Sequence, residues 1–185
     1  MSFDAVVIGG SYAGMAAGLQ LARARRKILL IDAGQPRNRF ASHSHGFLTQ
    51  DGVPPAEIAA EARSQLMEYP TVEWRTGRVE TVTGEPDNFL VALADGSSYQ
   101  ARRIILAAGV TDELPGLPGL AELWGKRVFH CPYCHGYELG KEGIGVLATS
   151  ELAMHHGLML PDWGATTLFV NDAFEPTAEQ LAQLK

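Results

Sequence analysis

Only two cysteines occur in these 185 residues, too few for a framework of structural disulfides. No apolar run approaches the ~20 residues that a membrane-spanning helix needs. Charge is sparse and leans acidic, with a formal net charge of −6. That balance argues against nucleic acid or an anionic membrane as the main partner. The one basic cluster, Arg23, Arg25, Arg26 and Lys27, falls at the end of a predicted helix, where it offsets the helix dipole. The opening Met1-Ser2-Phe3-Asp4 has neither a basic segment nor a small-residue cleavage site, so a cytoplasmic location is expected. His43 and His45 lack further ligands nearby, and the adjacent His155 and His156 make a poor pair, so no metal is expected.

What is present begins with a β-branched run, Asp4 to Ile8, the pattern of a fully buried parallel strand. Gly9-Gly10-Ser11-Tyr12-Ala13-Gly14 follows, then a helical run from Met15 to Ala24 and a second buried strand, Lys27 to Ile31, ending at Asp32. Strand, glycine turn, helix, strand and acid make a dinucleotide-binding βαβ unit. Gly9 permits the tight turn and Gly14 lets helix and strand approach. The helix N-terminus offers N–H groups to a pyrophosphate, and Asp32 can accept hydrogen bonds from a ribose. Ser11 stands where the usual fingerprint has its middle glycine, so crowding of the phosphate backbone is expected there.

Residues 34–55 show little regular pattern. Pro55 to Tyr69 is amphipathic, with Ile58, Ala62, Leu66 and Tyr69 on one face, which predicts a helix packed on the core. Short alternating segments around Val72–Trp74, Arg78–Val82, Phe89–Leu93 and Tyr99–Ala101, with a hairpin turn at Asp95-Gly96, predict an antiparallel meander. Arg103 to Ala107 reads as a return to a buried strand, ending in Ala108-Gly109. Leu114-Pro115-Gly116-Leu117-Pro118-Gly119 is the expected boundary between a domain over 1–117 and a second over 118–185. In the second, Ile144–Leu147 and Thr166–Val170 are predicted strands around a helix from Ser150 to Leu160. Thr177 opens a last helix with a Thr-x-x-Gln capping signature.

Cys131-Pro132-Tyr133-Cys134-His135-Gly136-Tyr137-Glu138 carries the chemistry. Two thiols at this spacing close a reducible disulfide, and one of them commonly becomes a low-pKa thiolate. Four readings compete. Haem attachment normally requires export. A glutaredoxin-like site sits near the start of its domain and opens a helix, whereas this motif comes late and the residues after it are poor helix formers. Zinc needs a fuller ligand set. The fourth reading is a dithiol that exchanges electrons with a cofactor held by the preceding fingerprint.

On Gly9 to Gly14, Asp32, Ala107-Ala108-Gly109 and the later Cys-x-x-Cys-x-Gly, the chain resembles the thioredoxin-reductase-like, FAD-dependent pyridine-nucleotide-disulfide oxidoreductases. Its Cys-Pro-x-Cys-His-Gly-Tyr-Glu form is similar to the branch containing dithiol oxidases of the gliotoxin-forming type. The resemblance implies an α/β fold: a Rossmann-type FAD domain with an antiparallel insert, then a partial second Rossmann-type domain bearing the dithiol. It implies that Cys134 faces the flavin, Cys131 exchanges with substrate, and His135 is the acid/base, a role suited to imidazole near neutral pH. It also implies that Gly9, Ser11, Tyr12, Ala13, Gly14, Asp32, Ala33, Gly34, Arg39, His45, Val79, Ala108 and Gly109 line the FAD. The expected substrate is a dithiol or disulfide, either a small molecule or a thioredoxin-like protein, and the expected assembly is a homodimer.

Two departures from the family pattern bear on function. The second nucleotide turn reads Ala148-Thr149-Ser150-Glu151, without glycine and with a carboxylate near the expected phosphate. Asn171-Asp172 follows the next strand, where an arginine would meet a 2′-phosphate. NADPH binding is therefore expected to be weak or absent, and oxygen to be the final acceptor. An NADPH-dependent thioredoxin-disulfide reductase is the alternative. The chain also stops before the family's C-terminal FAD-closing segment, so truncation is expected, and a non-catalytic dinucleotide-fold module is the reading of another class.

Overall fold

The computed structural model describes residues 2–184; Met1 and Lys185 lie outside the described residues. The first half of the chain is built around β1 (Ser2–Ile8), whose Val6 and Val7 are completely buried. A strand covered on both faces has no solvent side, which is why its sequence is an apolar run rather than an alternation. Helix α1 (Tyr12–Arg23) returns the chain to β2 (Ile28–Asp32), parallel to β1 with Val6 opposite Leu29. Helix α2 (Pro55–Met67) then leads to β3 (Val72–Thr76), parallel to β2. On α2, Ile58 and Leu66 are buried and Ala62 packs on the same cluster, the face expected from periodicity. Burying a leucine as fully as Leu66 contributes about 1.5–3 kcal/mol.

β4 (Val79–Glu85), β5 (Asn88–Leu93) and β6 (Ser98–Leu106) form the antiparallel meander, and β6 also pairs in parallel with β1. The order is β3-β2-β1-β6-β5-β4. Two corrections to the sequence reading follow. Val72–Trp74 is a strand of the parallel sheet, because the α2 crossover delivers it beside β2. Tyr99–Ala101 and Arg103–Ala107 are one strand up to Leu106. The charges at Arg102 and Arg103 are accommodated on the strand by Asp87, at 3.0 and 2.8 Å. Apolar clusters lie on both faces. One joins Ala5, Val7, Ile28 and Leu30 to Met15 and Ala22 of α1 and Leu66 of α2; the other joins Val6, Leu29 and Ile31 to Val91 and Leu93 of β5.

The residues form two compact units: one holds the chain up to His43 and from Val53 to Asp112, the other Ser44–Gly52 and the chain from Glu113 onward. The second unit contains the single-turn helices α3 (Leu120–Leu123) and α4 (Pro132–His135), then β7 (Ile144–Leu147), α5 (Ala153–Met159), β8 (Thr166–Phe169) and α6 (Ala178–Gln183). β7 and β8 are parallel and carry a small core of Val146, Ala148 and Ala153. Helix α5 begins later than the predicted Ser150, after a looser turn. The capping box at Thr177 is formed: its hydroxyl accepts from the Gln180 N–H, and the Gln180 side chain accepts from the Thr177 N–H.

Candidate functional site: a glycine turn and a dithiol turn

In the first unit the carboxyl ends of β1, β2 and β6 lie side by side, the place where open α/β sheets bind ligands. Gly9 has φ +105°, and a Cβ there would overlap the Ala107 carbonyl at the end of β6. A Cβ on Gly14 would overlap the Gly9 carbonyl, so both glycines are required by close backbone approach. Ser11 sits in extended backbone, φ −86° and ψ −167°, which a side chain tolerates without strain. Asp32 accepts the Gly10 N–H at 2.9 Å and the Gly34 N–H at 3.0 Å, so it braces the turn as well as ending β2.

Tyr12 donates to the Pro55 carbonyl at 3.3 Å and accepts from Asn38 at 3.3 Å, linking α1 to the loop and to α2. Arg39 lies over the Phe40 ring at 4.2 Å and donates to the Pro36 carbonyl. Arg37, absent from the sequence-derived set, pairs with Asp112, and that bond raises its proton affinity further. Ala13 is exposed on α1, Ala33 and Gly34 are exposed beyond β2, and Ala108 and Gly109 are exposed beyond β6. Val79, opening β4, packs into the second cluster. A glycine-shaped cradle, a helix N-terminus and an acid together fit a dinucleotide's pyrophosphate and ribose.

In the second unit Cys131 and Cys134 form a disulfide, with Cα atoms 5.4 Å apart. Cys131 caps α4 and Pro132 takes its first position, where the missing N–H costs nothing. The motif thus opens a helical turn, which the sequence reading had not assigned; the turn stops after His135. Gly136 is buried, and a Cβ there would come within 2.5 Å of the Trp163 ring and 2.6 Å of the Pro132 carbonyl. His135 stacks on Phe129 at 4.2 Å, and Tyr133 meets Trp163 edge-on at 5.2 Å. Burial, then the charge of His130, lowers the proton affinity of His135; Glu138 opposes this and His45 adds to it. Phe129 and Trp163 were missed by sequence reasoning, since nothing local marks them; the glycine after His135 was the one available signal. His45 belongs to this unit and lies 3.6 Å from both Asp51 and Glu138.

A Rossmann-type unit with a nucleotide-shaped turn, followed by a unit bearing a vicinal Cys-x-x-Cys disulfide, defines a dinucleotide-fold disulfide oxidoreductase. The chain belongs to the pyridine nucleotide-disulphide oxidoreductase family, whose model matches residues 3–154. Within it the chain is thioredoxin-reductase-like. It is 39% identical over 153 residues to thioredoxin reductase tcpT of Claviceps purpurea, covering 80% of this chain and 47% of that protein. The structure of an oxidoreductase from Agrobacterium tumefaciens is 60% identical with a TM-score of 0.97, covering 100% of this chain and 62% of that one. HlmI is 41% identical with a TM-score of 0.91, covering 99% of this chain and 58% of that one. The chain spans about half the length of the curated relatives it matches.

Proposed function

We propose that this chain carries the nucleotide turn and dithiol of an FAD-dependent thiol–disulfide oxidoreductase that oxidises a dithiol substrate, with oxygen as final acceptor. The observation that carries the reading is the Cys131–Cys134 disulfide, in a chain whose first unit bears a dinucleotide cradle. FAD, when bound, supplies a two-electron acceptor for the reduced dithiol. Gly9, Ser11 to Gly14, Asp32 to Gly34, Arg39, Val79, Ala108 and Gly109 are the residues of the first unit assigned to hold it.

A substrate thiolate attacks Cys131 Sγ, the S–S bond breaks, and Cys134 leaves as a thiolate. The second substrate thiolate attacks the first substrate sulfur, the one bonded to Cys131 in the mixed disulfide, and expels Cys131 as a thiolate. Oxidised substrate departs, and two electrons remain on the Cys131/Cys134 dithiol. His135, its proton affinity lowered by burial, is a base near neutral pH and takes the thiol proton of the attacking substrate. Cys134 then passes the electron pair on.

NADPH has little to hold it in the second unit. The Ala148–Glu151 turn lacks glycine, the Glu151 carboxylate accepts from Gln180 at 2.8 Å, and Asn171 donates to the Ala148 carbonyl at 3.2 Å. An NADPH-dependent thioredoxin-disulfide reductase is the second reading, favoured by the name carried by the Claviceps relative. A homodimer in the cytoplasm is the assembly and location that accompany either reading.

The test is visible absorption after FAD is added to the purified chain. A yellow protein bleached by excess dithiol supports the oxidoreductase, and Cys134→Ser is expected to abolish the bleaching. Unchanged bleaching in that variant refutes the assigned order of the cysteines.

A further inference from the structure

The loop Ser44–Gly52 is attached at both ends to the first unit, yet its contacts assign it to the second. It is braced from within: the Gly52 N–H donates to the Ser44 carbonyl at 2.8 Å, and the Gly46 N–H to Asp51 Oδ1 at 2.8 Å. Gly46 has φ +72°, and a Cβ built on it would lie 3.7 Å from the Tyr133 carbonyl oxygen. The loop backbone therefore runs beside Tyr133, one of the two residues between the cysteines.

His45 stands at the join. Its Nδ1 is 3.6 Å from Asp51 Oδ1 and its Nε2 is 3.6 Å from Glu138 Oε1, with 25% of the side chain exposed. Asp51 belongs to the loop, and Glu138 to the turn that follows α4. At this separation the contacts are electrostatic or bridged by water rather than direct hydrogen bonds. An imidazole lying between the two carboxylates gives the loop and the turn a shared polar contact. Helix α4 needs such neighbours, because a single helical turn has almost no stability of its own.

We propose that His45 is a positioning residue of the dithiol site, seating the 44–52 loop, through Asp51 and Glu138, on the turn that carries Cys131 and Cys134. The proposal rests on the dithiol reading above and adds a residue to it. With the bridge intact, the disulfide turn is held in one geometry; without it, loop and turn loosen together and the balance between disulfide and dithiol moves.

The test uses the full chain and four variants: His45→Ala, Glu138→Ala, the double variant, and His45→Lys, which places a cation between the two carboxylates. Amide hydrogen exchange over residues 44–52 and 132–138 reports the seating. Equilibration with a glutathione redox pair reports the disulfide. Each single alanine variant is expected to speed exchange over both segments by roughly tenfold and to shift the glutathione equilibrium by about threefold or more. The double variant is expected to go no further than either single one, the signature of a coupled pair. His45→Lys is expected to recover most of both effects. Additive effects, or loop exchange indifferent to His45, overturn the proposal. A wild-type disulfide that fails to equilibrate with glutathione counts against the dithiol reading instead, while hydrogen exchange still decides whether His45 seats the loop.

Discussion

At His135 burial and two neighbouring histidines pull in one direction and Glu138 in the other. Burial disfavours the imidazolium, as do the charges of His130 and His45, and Glu138 favours it; the net effect is a proton affinity below the ordinary value of 6.5. The sign for stability follows from linkage. The unfolded chain binds the proton more readily, so His135's contribution is complete above the unfolded value and is lost as pH falls through the lower folded one. Thermal melts at about pH 8 and about pH 5.5 are expected to show a smaller acid-side loss for His135→Asn than for the wild type. The same variant, lacking the proposed base, is expected to slow disulfide reduction by excess dithiol about 100-fold at neutral pH. Gly136 is the other decisive residue of the turn. With the Trp163 ring and the Pro132 carbonyl in the way of any Cβ, Gly136→Ala is expected to cost roughly 1–3 kcal/mol in denaturant unfolding. The two cysteines, the histidine and the glycine were legible from local sequence. The faces of Phe129 and Trp163 against them were not, because ring stacking depends on chain brought in from outside the motif.

Among the elements, those with strong periodicity were read correctly. α1, α2, β1 and β2 came out within a few residues, and the Asp95-Gly96 hairpin and the Thr177 capping box formed as the turn chemistry demands. β3 was misassigned because short strands look alike from within; only the crossover through α2 reveals that it lies parallel to β2. β6 was split because its two edges pair differently, antiparallel with β5 and parallel with β1, and only the pairing shows that both segments are one strand. The turn between β7 and α5 is the element on which the proposed exclusion of NADPH rests. Its carboxylate is engaged by Gln180, and the loop after β8 donates to the Ala148 carbonyl. A fluorescence titration with NADPH is expected to give no saturation in the micromolar range; micromolar affinity would favour the reductase reading over the oxidase.

Over the whole molecule the two units differ in how much core they own. In the first, buried side chains line both faces of a six-stranded sheet; the second has a two-stranded sheet and three buried residues in its cluster. A two-stranded sheet is marginal by itself. Amides of Val6, Val7, Leu29 and Leu30 are therefore expected to exchange at least ~100-fold more slowly than those of Val146 and Leu168, measured by hydrogen-exchange mass spectrometry or NMR. The sequence by itself determined the parts whose causes are local. These are the glycine turn between β1 and α1, the acid closing β2, and the vicinal dithiol with its histidine, since backbone sterics and thiol spacing act over a few residues. Only the tertiary structure decided the partnerships between distant residues: Arg37 with Asp112, 75 positions apart, and His45 with Glu138. It also decided that the 44–52 loop packs in the dithiol unit. No local pattern encodes those pairings, because each depends on the path of the chain between its two ends.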